Sequence, residues 1–223
     1  MNVNGVFDLT DLSSIDLALT TTRSVRKRID FKRPVPARLI NECIDVATQA
    51  PTGLRREAWR FLIITDPKPK EIVASLYREA FEEAMRERIP QLESEGVAVP
   101  KLGPSYRFLA EHLQEFPCLI LVCSEGRPET SNVAQQVAFY GSVLPAAWSL
   151  MVSLRSRNIG STWTTLLARY EDQVAKALRI PPDVTQTVLL PAGFMKGAKL
   201  GMAVRKSAKN VTFWNCWGRP QEG

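Results

Sequence analysis

The sequence predicts a protein of the α+β or α/β class, in which helices pack against a sheet. Three short, strongly apolar runs predict buried strands, and segments with helical spacing of apolar residues separate them. The chain has 223 residues, of which 45% are hydrophobic, so we expect a sizeable core. Neither a repeat nor a low-complexity linker divides the chain, which predicts a single domain over residues 1–223.

The first half of the chain is predicted to contain two helices, a strand and a long loop. Apolar residues follow helical spacing over 36–50, and the Pro-Thr-Gly at 51–53 ends that helix. The apolar run WRFLIIT at 59–65 predicts a buried strand. A helix with one charged side follows over 68–88. The prolines and glycines of 90–104 predict a long loop, of the kind that often forms a lid.

The second half alternates strands and helices in the same way. A long helix is predicted over 132–157, with Ser131 as its cap and only Gly141 and Pro145 interrupting it. The other predicted elements are a buried strand at 116–123, an extended piece at 159–165, a helix at 171–178 and a buried strand at 187–194. The aromatic tail at 211–217 needs a surface to dock on, either its own core or a second subunit.

Composition excludes several functions. The chain has four cysteines without a CxxC pair and a single histidine, His112, so we expect neither a metal site nor a Ser-His or Cys-His catalytic pair. The first twenty residues do not read as a basic, apolar leader, and we expect the thiols to be reduced. Both observations predict a cytoplasmic protein. No apolar run approaches the ~20 residues of a membrane helix, so we expect no membrane association.

The net charge of +6 favours a small anion rather than nucleic acid as the binding partner. Lys and Arg are scattered, except in short clusters at 23–33 and 205–209. Arg23 and Arg26 lie three residues apart with the hydroxyl of Ser24 between them, which suits bidentate binding of a phosphate. A solvated basic turn is the alternative interpretation. Neither GxGxxG nor GxxxxGKS/T occurs, so we expect no Rossmann or P-loop nucleotide site.

Four segments match the motifs of one family in order and spacing. TTRSVRKRIDFKRPVP at 21–36 is followed by APTGLRREAWRFLIITD at 50–66, and later by LPAAWSLMVSLRSRNIGSTWTTL at 144–166 and LLPAGFMKGAKLGMAVRKSAKNVTFWNCW at 189–217. Over residues 15–217 the chain resembles the FMN-dependent nitroreductases, which typically read RRSxRxF and then APSxxNxQPWRF. The resemblance implies an α+β fold with a central, mainly antiparallel sheet flanked by helices, and FMN at the interface of an obligate homodimer.

The resemblance also implies which residues hold the FMN phosphate. Arg23, Ser24 and Arg26 match the positions that bind the phosphate and the ribityl chain. Arg205, together with Lys206, matches the C-terminal basic contact that closes on the phosphate from the other side. The C-terminal segment at 205–217 is therefore expected to serve both as phosphate contact and as docking tail.

Further residues match the family positions around the flavin ring. Pro51 and Thr52 fall where the ring or ribityl chain is contacted from the partner subunit. Trp163, Thr164 and Thr165 fall where backbone amides face the N5 edge of the flavin. The flavin carries the hydride chemistry in such sites, so we expect no catalytic side chain.

The sequence departs from the family pattern on the ring side of the expected site. Arg55 replaces the usual asparagine, where its positive charge could stabilise the reduced flavin, and Glu57 replaces the usual glutamine. The substrate pocket is expected along the loop at 90–104, with Tyr106 and Phe108 as its walls. The alternative is that these two rings pack the loop onto the core. The dimer interface is expected to combine the helix at 132–157 with the aromatic tail.

The resemblance implies an FMN-dependent oxidoreductase that takes hydride from NADH or NADPH in a ping-pong reaction. Its small-molecule acceptors would be nitroaromatics, quinones or activated alkenes. Two alternatives stay open at this point. One is a flavin-binding or flavin-sequestering protein without turnover, which the departures at Arg55 and Glu57 suggest. The other is a relative that acts on the flavin itself or on halogenated aromatics.

Overall fold

The computed structural model describes residues 12–53, 57–94, 103–197 and 200–220. The chain forms two compact units, one of residues 22–198 and one that joins residues 1–21 with 199–223. The larger unit contains the sheet and most of the helices. Whether the chain is one domain, as the sequence predicts, stays a prediction.

A four-stranded sheet forms the centre of the larger unit. Its strands are β1 (Trp59–Ile64), β2 (Cys118–Glu125), β3 (Ile159–Ser161) and β4 (Val184–Phe194), and their order across the sheet is β1-β2-β4-β3. Each of the three pairings between these strands is antiparallel. The α+β prediction is therefore confirmed, and the α/β alternative, which requires parallel strands, is wrong.

The described part of the chain also contains six α-helices. Three of them, at Ala37–Ala47, Val133–Ser156 and Glu171–Leu178, match predicted helices closely. The first and the last of these have strongly amphipathic sequences. The helices are α1 (Leu12–Thr21), α2 (Ala37–Ala47), α3 (Pro67–Ser94), α4 (Gly103–His112), α5 (Val133–Ser156) and α6 (Glu171–Leu178). Sequence reasoning predicted no helix at α1, which belongs to the smaller unit.

The predicted loop at 90–104 is wrong at both of its ends. Pro90 lies inside α3, which continues to Ser94. A proline removes one backbone hydrogen bond from the helix, because it has no N–H. The residues around it have high helix propensity, so the helix continues through this position. Pro104 lies in the first turn of α4, where a proline needs no helical partner for its nitrogen. Residues 95–102 of the predicted loop lie outside the described residues.

The long helix α5 begins with a different cap from the predicted one. The side chain of Asn132 accepts a hydrogen bond from the backbone N–H of Gln135 at 3.1 Å. Ser131 instead donates its hydroxyl to Glu129 at 2.9 Å. The helix then runs unbroken through its glycine and proline, so the predicted interruptions at these residues do not occur.

Both faces of β2 are buried, which explains its uniformly apolar sequence. Cys118, Ile120 and Val122 belong to the core cluster that α2 and α5 form with the sheet. Leu119 and Leu121 alternate with them and point to the opposite face. They are also buried. The sheet is therefore covered on both sides, and its cysteines are core thiols, as the sequence predicts. Burial raises the pKa of the Cys118 thiol to about 12.

Helix α5 is long and apolar enough to cross a membrane, by length and composition alone. Its 24 residues have a mean hydropathy of 1.5 over the most apolar window. The expectation that no segment reaches this length is therefore wrong. The core helix of a globular protein passes the same test, and Ala146, Ala147, Leu150 and Leu154 of α5 are fully buried in the core cluster.

The described residues of the smaller unit are α1 and the segment at 200–220. Apart from one 3-10 turn at Ala208–Asn210, this segment has no regular secondary structure. The rings of Phe213 and Trp217 pack against each other with their centroids 4.9 Å apart. Trp217 is 91% exposed, whereas Phe213 is 41% exposed.

Candidate functional site

The segment that contains Arg23 and Arg26, which we call the arginine motif, is held at the end of strand β3 by two hydrogen bonds. The backbone N–H of Val25 donates to the carbonyl of Ser161 at 2.9 Å, and the hydroxyl of Thr162 donates to the carbonyl of Val25 at 2.8 Å. Gly160 permits this approach, because a Cβ there would lie 2.9 Å from the Cβ of Val25. With Val25 buried, the neighbouring Ser24 is exposed. The motif is therefore tied to the edge of the sheet at Ser24 and Val25, while Arg23 and Ser24 stay exposed.

Arg26 enters a partly buried position beside the first turn of α4. Its Nη1 donates to the hydroxyl of Ser105 at 3.4 Å, and its guanidinium carbon lies 4.5 Å from the centroid of the Tyr106 ring. Its Nε is buried and has no hydrogen-bond partner among the described residues. A buried donor of a cation without an acceptor is costly, so this position has the chemistry of an anion or carbonyl site.

A second polar contact lies close to Arg26. The phenol oxygen of Tyr77, on α3, is 3.0 Å from the hydroxyl oxygen of Thr164, and Tyr77 is only 1% exposed. Burial raises the pKa of Tyr77, while the Thr164 hydrogen bond and the charge of Arg26 act to lower it. Arg26, Tyr77, Ser105, Tyr106 and Thr164 thus form one group, which we call the Arg26 cluster.

The backbone of Thr164 is held by the sheet. Its N–H donates to the carbonyl of Leu189 at 3.1 Å, and its carbonyl accepts from the N–H of Leu189 at 2.9 Å. Since this backbone amide is engaged, the hydroxyl is the polar group that Thr164 presents to the Arg26 cluster. Trp163, by contrast, packs partly against the core cluster, and Thr165 is exposed.

The two predicted walls of the substrate pocket face different surroundings. Tyr106 lies against Arg26, in the cluster just defined. Phe108 instead belongs to an aromatic stack, where its ring centroid is 4.2 Å from His112 and 6.4 Å from Phe31. The His112 ring is also hydrogen-bonded to the Glu115 carboxylate at 2.7 Å. The structure therefore places Tyr106 against Arg26, whereas Phe108 lies against Lys27, whose Nζ is 5.7 Å from the centroid of its ring.

The remaining predicted residues are placed separately. Thr52 is half-buried and Pro51 is exposed, and the adjacent Gly53 N–H donates to the hydroxyl of Ser142 on α5 at 3.1 Å. Arg55 lies outside the described residues. Arg205 and Lys206 are exposed in the smaller unit, so they are described with that unit alone.

Sequence reasoning missed a groove of about 480 Å³ beside α3 and α4. Its floor includes the buried side chains of Phe81 and Ala110, and charged side chains of both signs surround it. Arg107 donates to Glu82 at 3.1 Å across the groove. The charged residues are Arg78, Glu79, Glu82, Glu83, Arg86, Arg107 and Glu111. The sequence predicts the charged side of α3, but it places the start of the facing helix α4 in the loop at 90–104.

The described residues include no group of three or more His, Cys, Asp or Glu side chains arranged to hold a metal ion. The four cysteines are free thiols, three of them buried.

An antiparallel sheet flanked by helices, with Arg23 and Arg26 beside β3, is the arrangement that the resemblance to nitroreductase-like flavoproteins predicts. Residues 19–194 match the model of the Nitroreductase family, so the chain belongs to this family. The fold predicted from the four motifs is thereby confirmed.

The chain is also similar in sequence to two proteins that are named iodotyrosine deiodinases. The chain is 28% identical over 197 residues to iodotyrosine deiodinase 1 of Rattus norvegicus, matching 84% of this chain and 66% of the relative. It is 28% identical over 179 residues to the iodotyrosine deiodinase of Thermotoga neapolitana, matching 79% of this chain and 86% of the relative. The chain thus spans just under two thirds of the length of the rat protein.

One solved structure of similar fold is an oxidized iodotyrosine deiodinase bound to FMN and 3-iodo-L-tyrosine. It superposes with a TM-score of 0.68 at 25% sequence identity, and the match covers 91% of this chain and 99% of that chain. The likeness therefore extends over nearly the whole of both chains.

Proposed function

We propose that this protein binds FMN and is an oxidoreductase that transfers electrons from NADH or NADPH to a small-molecule acceptor. The observation that carries the proposal is the buried, unpartnered Nε of Arg26 beside the hydroxyls of the Arg26 cluster. Family membership and an FMN-bound structure of the same fold support the choice of FMN as the ligand.

The donor set of the chain fits FMN. Arg23 and Arg26 supply positive charge and directed N–H groups for a phosphate or a ring oxygen, and Ser24 supplies a hydroxyl between them. The hydroxyl of Thr164 can donate to the ring. When bound, FMN would supply the hydride transfer. The protein would hold the phosphate, orient the ring and keep water from its face.

Further contacts with FMN are proposed from the resemblance alone. Arg205 and Lys206 would reach the phosphate, Pro51 and Thr52 the ring or ribityl chain, and Arg55 the pyrimidine edge. Nitroaromatics, quinones and activated alkenes are the acceptors that the family resemblance favours.

A second candidate is reductive dehalogenation of a halogenated aromatic. Two relatives at 28% identity are named iodotyrosine deiodinases, and the structure of 25% identity holds 3-iodo-L-tyrosine.

The test of the main proposal is anaerobic mixing of the FMN-loaded protein with NADH and then with NADPH, following the flavin absorbance. Bleaching by either nucleotide, followed by reoxidation on adding a nitroaromatic or quinone, is the expected result. Stable flavin binding without bleaching would favour a flavin-sequestering protein. Failure to bind FMN at all would overturn the proposal.

The second candidate needs its own assay. Chemically reduced protein is mixed with 3-iodotyrosine or with 2-iodophenol, which keeps the iodine next to the hydroxyl but lacks the zwitterion, and iodide release is measured. Release from the amino acid at more than ten times the rate for the phenol would favour dehalogenation of a zwitterionic substrate. Equal and slow release from both would remove this candidate.

A homodimer is part of the proposal. On α5 the side chains of Val133 and Val137, one helical turn apart, are 73% and 68% exposed, and Gly141 follows with open space where a side chain would be. The exposed tail residues Phe213 and Trp217 add further apolar surface. A cytoplasmic location also belongs to the proposal, because the cysteines are free thiols.

Removal of residues 211–223 tests the homodimer. Since burial of the tail aromatics would contribute roughly 5–8 kcal/mol before entropy costs, the shortened protein should lose both dimerisation and FMN retention. Light scattering and the flavin-to-protein absorbance ratio measure the two effects. A shortened protein that stays a flavin-loaded dimer would show that the tail is not part of the interface.

A further inference from the structure

Tyr77 is a buried phenol to which the proposed function gives no role. It lies in the middle of α3 and is 1% exposed, yet its hydroxyl is directed at Thr164, in the segment that follows β3. A buried hydroxyl is costly without a hydrogen-bond partner, so the 3.0 Å contact to Thr164 determines where the phenol points.

The same contact also controls Thr164. Two backbone hydrogen bonds to Leu189 hold the main chain of Thr164 in place, so only its side-chain hydroxyl can rotate. Burial raises the pKa of Tyr77, which keeps the phenol protonated and able to donate at neutral pH. When Tyr77 donates to the Thr164 oxygen, the proton of the Thr164 hydroxyl is left to donate to a third group.

We propose that Tyr77 is a positioning residue of the flavin site: its hydroxyl donates to Thr164 and thereby turns the Thr164 hydroxyl into an oriented donor for the bound flavin ring. The inference rests on the proposed FMN site. It adds a residue that none of the four family-like motifs contains, since Tyr77 lies between the second and third of them.

The chain offers a matched control. Tyr170 also joins α3 to the segment after β3, because its hydroxyl donates to Glu83 at 2.7 Å. Tyr170→Phe and Tyr77→Phe each remove one phenol hydroxyl between the same two parts of the fold. A purely structural role predicts similar consequences for the bound flavin in both variants.

The experiment measures the midpoint potential of bound FMN and the rate of anaerobic flavin reduction in each variant. Tyr77→Phe should make the potential more negative and slow the reduction five- to tenfold, because the donor to the reduced ring is no longer oriented. Tyr170→Phe should leave the midpoint potential unchanged and the reduction rate within twofold of the wild-type rate. Thermal unfolding of both variants reports any loss of fold.

A double-mutant cycle tests whether Tyr77 acts through Thr164. Thr164→Val should reproduce the effect of Tyr77→Phe, and the double variant should be no worse than Thr164→Val alone. Thr164→Ser, which keeps the hydroxyl, should retain most of the wild-type rate and keeps the test valid if Tyr77→Phe fails to fold.

Three outcomes overturn the inference. They are an unchanged potential in Tyr77→Phe, equal effects of Tyr77→Phe and Tyr170→Phe, and independent, additive effects of Tyr77→Phe and Thr164→Val. If the wild type binds FMN and is reduced while one of these occurs, only the role of Tyr77 fails. If the wild type binds no FMN, the proposed function fails as well.

Discussion

Two arginines beside helix α4 are in opposite electrostatic situations. Arg107, in the groove, is half-exposed and donates to the carboxylate of Glu82, so its charge is already paired. Arg26, in the Arg26 cluster, contacts a hydroxyl and an aromatic ring, and its buried Nε has no partner among the described residues. The difference indicates which of the two arginines is prepared to bind an anion.

The physical reason is the cost of desolvation. An exposed ion pair contributes little, since water solvates both charges about as well as they solvate each other. A buried donor has lost its hydrogen bonds to water, and without an acceptor this desolvation free energy is not offset. A ligand that supplies the acceptor therefore binds favourably at that position. Many paired charges on a surface therefore indicate a binding site less strongly than a single buried cation that lacks a hydrogen-bond acceptor.

The largest expected effect is on FMN affinity. Arg26→Ala should weaken FMN binding about ten- to a hundredfold, because a charge-assisted hydrogen bond is worth roughly 1.5–3 kcal/mol. Arg107→Ala, at the paired arginine, should leave the affinity within twofold. Fluorescence titration at fixed salt measures both variants.

Riboflavin, which lacks the phosphate, identifies the part of the cofactor that Arg26 binds. If Arg26 binds the phosphate, Arg26→Ala weakens FMN but not riboflavin. If Arg26 binds the ring, both flavins weaken equally. Equal affinities of wild type and Arg26→Ala for both flavins would contradict the comparison between the two arginines.

A smaller effect is expected at the two aromatic residues of α4. Tyr106→Ala should change the preference between acceptors by three- to tenfold, because it removes the ring that lies over Arg26. Phe108→Ala should instead lower the free energy of unfolding by about 2 kcal/mol, since it opens the stack with Phe31 and His112. Steady-state competition between acceptors and denaturant unfolding separate the two results. The reverse pattern would mean that the pocket lies on the Phe108 side of the helix.

The smallest effect is expected in the groove. A double-mutant cycle with Arg107→Ala and Glu82→Ala should give a coupling of about 0.2–1 kcal/mol in the free energy of unfolding, and the coupling should shrink in high salt. A coupling well above that range, insensitive to salt, would show that the groove holds a desolvated ion pair and is not an ordinary charged surface.

The sequence by itself determined the elements that are strongly apolar or strongly amphipathic. The apolar runs of β1, β2 and β4 lie where they were predicted, and α6 begins at Glu171 and ends at Leu178 as predicted. The local sequence predicts such elements, because the burial of their residues follows the period of a strand or a helix, and the order of apolar and polar residues shows that period. The phosphate-binding role of Arg23 and Arg26, which their residue types and spacing predict, stays a prediction.

Tertiary structure decided the helical ends and the partners of Arg26. Pro90 is helical because the surrounding turns hold it, and α4 begins in a segment whose proline and glycine had predicted a loop. Ser105 and Tyr77 reach the site from helices far along the chain, and no spacing rule connects them to the arginine motif. Local pattern shows which residues can be buried or charged, whereas only packing shows which distant side chains are brought within hydrogen-bond distance of each other.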